Sequence, residues 1–117
     1  MRKRTPAGDA TVRFDGNTIA VAGKLDFESV PGIEGIGADR LADRDGGDTW
    51  FLDLSGVDYS DSAGVALILA WQRAANTAGR ELVLRGAPDN VLSMIHLAGL
   101  EDLLDIEETM AADPAEQ

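Results

Sequence analysis

Apolar and polar positions alternate over residues 11–14 and again over 18–22, with Asp15, Gly16 and Asn17 between the two runs. Alternation at a period of two marks a strand with one buried face. An Asp-Gly-Asn stretch between two such runs predicts a β-hairpin. The pattern then turns helical. Ser29 is placed to cap a helix that carries Pro31 in its first turn, where a missing amide hydrogen costs least. Ile33, Ile36, Ala38 and Leu41 form its apolar stripe, and Gly46-Gly47 ends it. Residues 49–54 are almost continuously apolar, as expected of a short strand buried on both faces of a sheet. Residues 55–61 read as a loop, and residues 62–78 as a long helix stopped by Gly79. A strand at 81–85, a helix at 88–98 followed by Gly99, and a short turn with an edge strand at 100–106 complete the series. A hairpin followed by repeated β–α alternation predicts an α/β fold, a mixed sheet with helices against it. Residues 1–10 and the acidic stretch 108–117 offer no periodic apolar face and are expected to be flexible ends around one domain spanning 11–107.

The helix at 62–78 departs from ordinary amphipathic patterning. Its first two and a half turns contain no polar residue after Ser62. Ala63, Leu67, Ala70 and Ala74 can face the sheet, whereas Ser62, Val65, Ala66, Leu69 and Arg73 share a second face, because residues three and four apart stack on a helix. Either a neighbouring helix covers that second face or a partner docks on it with Ser62 at the rim. Asp61 precedes the helix as a suitable N-cap, so Ser62 falls among backbone amides that carry partial positive charge. Ser62 can simply assist the cap. Equally, a phosphate there would add about −1.5 to −2 charge beside an apolar face.

Composition narrows the function classes. The chain has 117 residues, no cysteine, one histidine, 21 acidic against 10 basic residues and a formal net charge of −11. The acid excess disfavours a phosphate backbone or an anionic membrane surface as ligand, so neither nucleic acid nor direct membrane insertion is expected. A bias to carboxylates also fits a high-salt interior, where repulsion is screened. Disulfides and thiolate chemistry are excluded. The basic start, Met1 to Arg4, runs into Thr-Pro-Ala-Gly-Asp instead of an apolar stretch, and the longest apolar run is too short to span a bilayer. A cytoplasmic protein is expected.

The run Asp53-Leu-Ser-Gly-Val-Asp-Tyr-Ser-Asp-Ser-Ala-Gly-Val-Ala-Leu-Ile-Leu resembles the signature of STAS domains, in which a buried strand ends in Asp-Leu-Ser/Thr and a loop leads to Asp-Ser/Thr-x-Gly-Leu at the start of the second helix. Gly23-Lys-Leu-Asp and Ala98-Gly-Leu-Glu extend the similarity over about residues 11–107. Val65 replaces the usual Leu, and Ala63 fills a slot that is often Ser. The resemblance implies the STAS fold, a mixed β-sheet with helices packed mainly on one side, and a non-catalytic interaction module without a cofactor. Within the family, the apolar run after Ser62 and Leu25-Asp-Phe-Glu-Ser-Val-Pro are similar to the small STAS subunit of Mla-type phospholipid ABC transporters. That similarity implies docking on the transporter's ATPase at the inner face of the membrane, through Asp61, Ser62, Val65, Ala66, Leu69 and Arg73. The alternative is an anti-sigma factor antagonist, which binds an anti-sigma factor serine kinase through much the same face and is switched off by phosphorylation of the serine that corresponds to Ser62.

Other classes fit less well. A receiver domain would place its phospho-acceptor at Asp53, but needs an acidic pair after its first strand and a lysine after a late one; Lys3 and Lys24 stand in neither place. His96 has no evident nucleophile or carboxylate partner in the sequence, which speaks against an enzyme. Asp53, Asp58 and Asp61 lack the spacing of a calcium loop and read as turn and cap residues, so no metal is expected. Trp50 and Trp71 are assigned to the core, Trp50 there or at a sheet edge.

Overall fold

A computed structural model of the chain describes residues 10–43 and 47–107. Strands β1 (Thr11–Asp15) and β2 (Thr18–Leu25) form the expected hairpin, followed by helix α1 (Val30–Ala42), strand β3 (Thr49–Ser60), helix α2 (Ser62–Thr77), strand β4 (Glu81–Arg85), helix α3 (Asp89–Leu97), a 3-10 turn at Glu101–Leu103 and strand β5 (Asp105–Ile106). The flexible ends expected at 1–9 and 108–117, and Gly46, lie outside the described residues, while Ala10 is buried. The sheet runs in the order β1-β2-β3-β4-β5, with β1 antiparallel to β2 and the remaining neighbours parallel. Every parallel crossover therefore steps one strand in the same direction. Right-handed connections of that kind leave all three helices on one face of the sheet, and α1 packs against α2 and α2 against α3.

The core lies between that face and the helices. Ile19, Val21 and Leu25 of β2, Trp50, Leu52 and Leu54 of β3, and Leu82 and Leu84 of β4 are buried and meet Leu67, Ile68, Trp71 and Ala75 of α2 in one cluster. The expectation that residues 49–54 are buried on both faces fails. With every helix on one side, Phe51 and Asp53 on the opposite face stay partly exposed. The Arg85 guanidinium lies 4.1 Å above the Phe51 ring and its Nε is 2.7 Å from Glu107 Oε1. Among the described residues, no helix covers that face.

Residues 55–60 are strand, not loop. They pair with the far half of β2 alone, Gly56 with Ala22, Val57 with Gly23, Tyr59 with Lys24 and Ser60 with Leu25, through two register irregularities. The polar, glycine-containing composition of this stretch conceals the pairing, because only one neighbour strand reaches it. β2 extends to Leu25 for the same reason. The α1 stripe also shifts: Val30, Ile33, Gly37 and Leu41 are buried, and Ile36 is 47% exposed.

Ser29 holds the position before α1 but does not cap it. Its Oγ donates to the Lys24 carbonyl at 2.6 Å and accepts from the Asp26 amide at 3.0 Å, tying the turn to the end of β2. The turn-forming carboxylate is Asp26, whose Oδ1 accepts from the amides of Glu28 and Ser29 at 3.0 and 2.9 Å. Hydrogen bonding from the Ser29 amide, above all, holds the Asp26 carboxyl below its ordinary value of 3.8. A depressed carboxyl contributes stability above its unfolded-state value, and loses that contribution as pH falls through its folded one. Asp26→Asn is therefore expected to flatten the acid limb of the thermal-melting profile, recorded from about pH 5 downward, relative to the unmodified protein.

Candidate functional site

The exposed start of α2 is assembled from the ends of three elements. β3 closes at Ser60, and the Asp61 amide donates to the Leu25 carbonyl at 3.1 Å, so the turn is fastened to β2. Asn90, in the first turn of α3, donates from Nδ2 to the Ser60 carbonyl at 3.4 Å. Asp61 is extended and caps the helix, its Oδ1 accepting from the Ala63 amide at 2.8 Å, as expected from the sequence. Replacing an N-cap carboxylate with alanine costs about 1 kcal/mol; Asp61→Ala is expected to lower the urea midpoint accordingly without changing the circular-dichroism spectrum of the native protein.

Gly64 makes this turn possible. A Cβ there would overlap Ser60 Oγ and lie 3.1 Å from the Leu25 Cβ and 3.2 Å from the Ser60 Cβ. Without it, the first turn of α2 seats directly on the strand ends. Ser62 is consequently lifted onto the surface at the first helical position, and among the described residues its hydroxyl has no hydrogen-bond partner. A side chain that neither caps nor packs is available to a second molecule.

The face that begins at Ser62 is narrower than the helical pattern implies. Ser62, Ala66 and Arg73 are exposed, Asp61 and Leu69 are half-buried, and Val65 is only 7% exposed. Val65 thus leaves the outer face and forms part of the floor of a groove between α2 and α3. The groove, of about 470 Å³, is lined by Ser62, Val65, Ala66, Leu69, Met94, Leu97 and Ala98. Its inner boundary also differs from expectation. Ala70 and Ala74 are half-buried, and the buried row toward the sheet and α1 is instead Ala63, Gly64, Leu67, Ile68, Trp71 and Ala75. α2 is covered by both the sheet and α1, which widens its buried stripe and swings Trp71 to the α1 side. A neighbouring helix therefore covers part of the apolar surplus, and the Ser62 side keeps the rest.

Met94, Leu97 and Ala98 of the α3 side were not singled out by sequence pattern. The signal was an apolar surplus: Val91 and Ile95 are the buried residues of α3, yet Met94 and Leu97 are apolar too. Leu97 is 83% exposed. His96, beside it, is exposed and pairs through Nδ1 with Glu101 Oε2. A hydrogen bond from its own backbone amide and then the His96 ring hold the Glu101 carboxyl below the usual carboxylate range. Among the described residues, no group of three or more His, Asp or Glu side chains is arranged to hold a metal ion, and no helix is long and apolar enough to cross a membrane. The site offers a hydroxyl, an apolar groove and surrounding charge.

Comparison with known proteins shows what the chain as a whole is similar to. A family model described as "Mlab, STAS domain" matches residues 10–105. The anti-sigma-B factor antagonist of Staphylococcus aureus is 30% identical over 90 residues, which cover 77% of this chain and 82% of that one. An anti-sigma factor antagonist from Mycobacterium paratuberculosis superposes with a TM-score of 0.62 at 23% identity, covering 86% of each chain. The Bacillus cell-fate determinant SpoIIAA in its phosphorylated form superposes with a TM-score of 0.62 at 17% identity, covering 85% of this chain and 91% of that one.

Proposed function

We propose that this chain, which belongs to the STAS domain family, is an anti-sigma factor antagonist that acts by binding rather than by catalysis and is switched at Ser62. The single observation that carries the reading is the placement of Ser62: exposed at the first position of α2, without a hydrogen-bond partner among the described residues, and bordering the apolar groove. A serine kinase partner that docks on this face has the hydroxyl within its reach. Transfer of the γ-phosphoryl group of ATP to Ser62 Oγ releases ADP and a proton and leaves a dianion at the groove's mouth. The Asp61 carboxylate already stands beside it, so the added charge makes re-docking of an apolar surface unfavourable. The names of the relatives support this ahead of the Mla-type reading: the curated relatives are anti-sigma factor antagonists, and one superposed structure is of a phosphorylated protein.

The Mla-type alternative keeps one specific support, the description of the matching family model. In that reading the same face docks on an ABC ATPase and Ser62 acts as a contact hydroxyl. Capture of the tagged chain from its own cells, with the bound proteins identified by mass spectrometry, separates the two. The expected partner is an ATP-binding serine kinase that, once purified, places one phosphate on the chain at Ser62 and none on Ser62→Ala. Recovery of an ABC ATPase with its permease, and no phosphorylation at Ser62, would overturn the antagonist reading.

A further inference from the structure

The groove at Ser62 does not end with the first turns of α2. Leu69 closes its far end and also opens a second, smaller hollow of about 150 Å³, lined with Gln72, Arg73, Asn76 and Leu103. The two together follow α2 from Ser62 to Asn76. Fourteen helical rises correspond to about 20 Å. Leu97 and Leu103, 83% and 62% exposed, stand along the opposite side. A channel of this length, apolar at its wider end and bounded by projecting leucines, matches the apolar face of a single helix of about 14 residues laid into it.

Charge around the channel identifies the kind of helix. Asp61 and Asp89 flank the N-terminal ends of α2 and α3, and Glu101 and Asp102 follow the end of α3. Against them stand Arg73 at the far end and His96, which is paired with Glu101. The remaining arginines among the described residues belong to other surfaces. Arg40 lies 4.2 Å over the Phe14 ring, Arg80 binds the carbonyls of Leu41 and Asp43, Arg85 sits with Glu107 on the open face of the sheet, and Arg13 is on β1. Lys24 lies at the Asp26 turn. The exposed residues that flank the lining along the chain are thus predominantly acidic, with Arg73 in the lining itself, in a chain of net charge −11.

We infer that the α2–α3 channel takes a basic amphipathic helix of the protein partner, with aliphatic side chains seated between Ala66, Leu69, Met94 and Leu97, and lysine or arginine side chains facing Asp89, Glu101 and Asp102, away from Ser62. The inference rests on the reading that the Ser62 face docks a protein, and adds the chemistry of the docked segment. Apolar contact supplies the affinity, and the opposed charges accelerate encounter and fix orientation.

The test uses the full chain, labelled with nitrogen-15, and three blocked 14-residue peptides: a leucine–lysine helix with one apolar face, its leucine–glutamate counterpart, and a scrambled leucine–lysine sequence of equal charge. The amphipathic basic peptide is expected to shift the amides of Ser62, Ala66, Leu69, Leu97 and Ala98. It should bind about tenfold more tightly than either control, and weaken severalfold between low and high salt as exposed charges are screened. Ala66→Gln and Leu97→Ser, both surface substitutions that leave net charge unchanged, should each remove most of that difference. Equal binding by the three peptides would overturn the inference, as would shifts confined to the open sheet face or the acidic end of the chain. A partner kinase captured in a Ser62-dependent manner beside a failed peptide titration would sink this inference alone. Channel binding without any captured kinase would sink only the antagonist reading.

Discussion

Trp71→Ala is expected to lower the unfolding free energy by about 3–5 kcal/mol, the usual cost of deleting a buried aromatic side chain. Trp71 has no exposed surface and joins α2 to α1. Its ring occupies the space that a Cβ at Gly37 would fill, and its Nε1 donates to the Glu34 carbonyl of α1 at 2.8 Å. Truncation therefore opens a cavity at the contact between two helices and removes a hydrogen bond that bridges 37 residues of chain. Domains of this kind are stable by about 5–15 kcal/mol, so the alanine variant should approach the threshold of folding. Trp71→Phe keeps much of the volume and loses the donor; a further part of the loss, about 1 kcal/mol, is assigned to that bond. Urea unfolding followed by far-ultraviolet circular dichroism measures both. Equal stability of the alanine variant and the unmodified chain would show that α1 does not lean on this ring.

Ser62→Asp is expected to weaken partner binding by about 100-fold or more and leave the melting temperature almost unchanged. The two effects have separate causes. For the fold, a carboxylate in the first turn of a helix is favoured by the helix dipole by about 0.3–1 kcal/mol, which offsets repulsion from neighbouring Asp61, and Ser62 touches nothing that must move. For binding, the new charge faces the apolar groove lined by Val65, Ala66, Leu69 and Met94. A charge left unpaired in a closed interface costs about 3–5 kcal/mol, and each 1.4 kcal/mol is a tenfold change in affinity. Calorimetric titration with the captured partner measures it. Unchanged affinity would remove Ser62 from the docking face, whichever partner is found.

Much of this was legible in the chain. The hairpin, the Asp61 cap, the helix from Ser62 to its stop near Gly79, and the short last strand are local events, decided by side chains within a few residues of one another. The STAS signature is largely local too, and Gly64 shows why: the residue is dictated first by contact with Ser60, four positions earlier in the same run, and then by Leu25 at the end of β2. What failed was non-local. Residues 55–60 carry no strand periodicity of their own and become β3 only because β2 runs alongside. Val65 was placed on the outer face by helical spacing, but how deep a groove lies at that point depends on where α3 comes to rest, not on α2. The same holds for Ile36, which the pattern puts inside and the packing of α1 leaves exposed.

The amino-acid sequence by itself determined the element series, the fold class, the capped turn and the identity of Ser62 as the residue at its tip, because each depends on short-range geometry or on net apolar content. Only the tertiary structure decided that the helices gather on one face of the sheet, that Trp71 packs against α1, and that the leftover apolar surface of α2 joins that of α3 in one groove. Those outcomes turn on which surfaces meet across the fold, and a helix or strand read alone records how much apolar surface it must bury but not which neighbour will cover it.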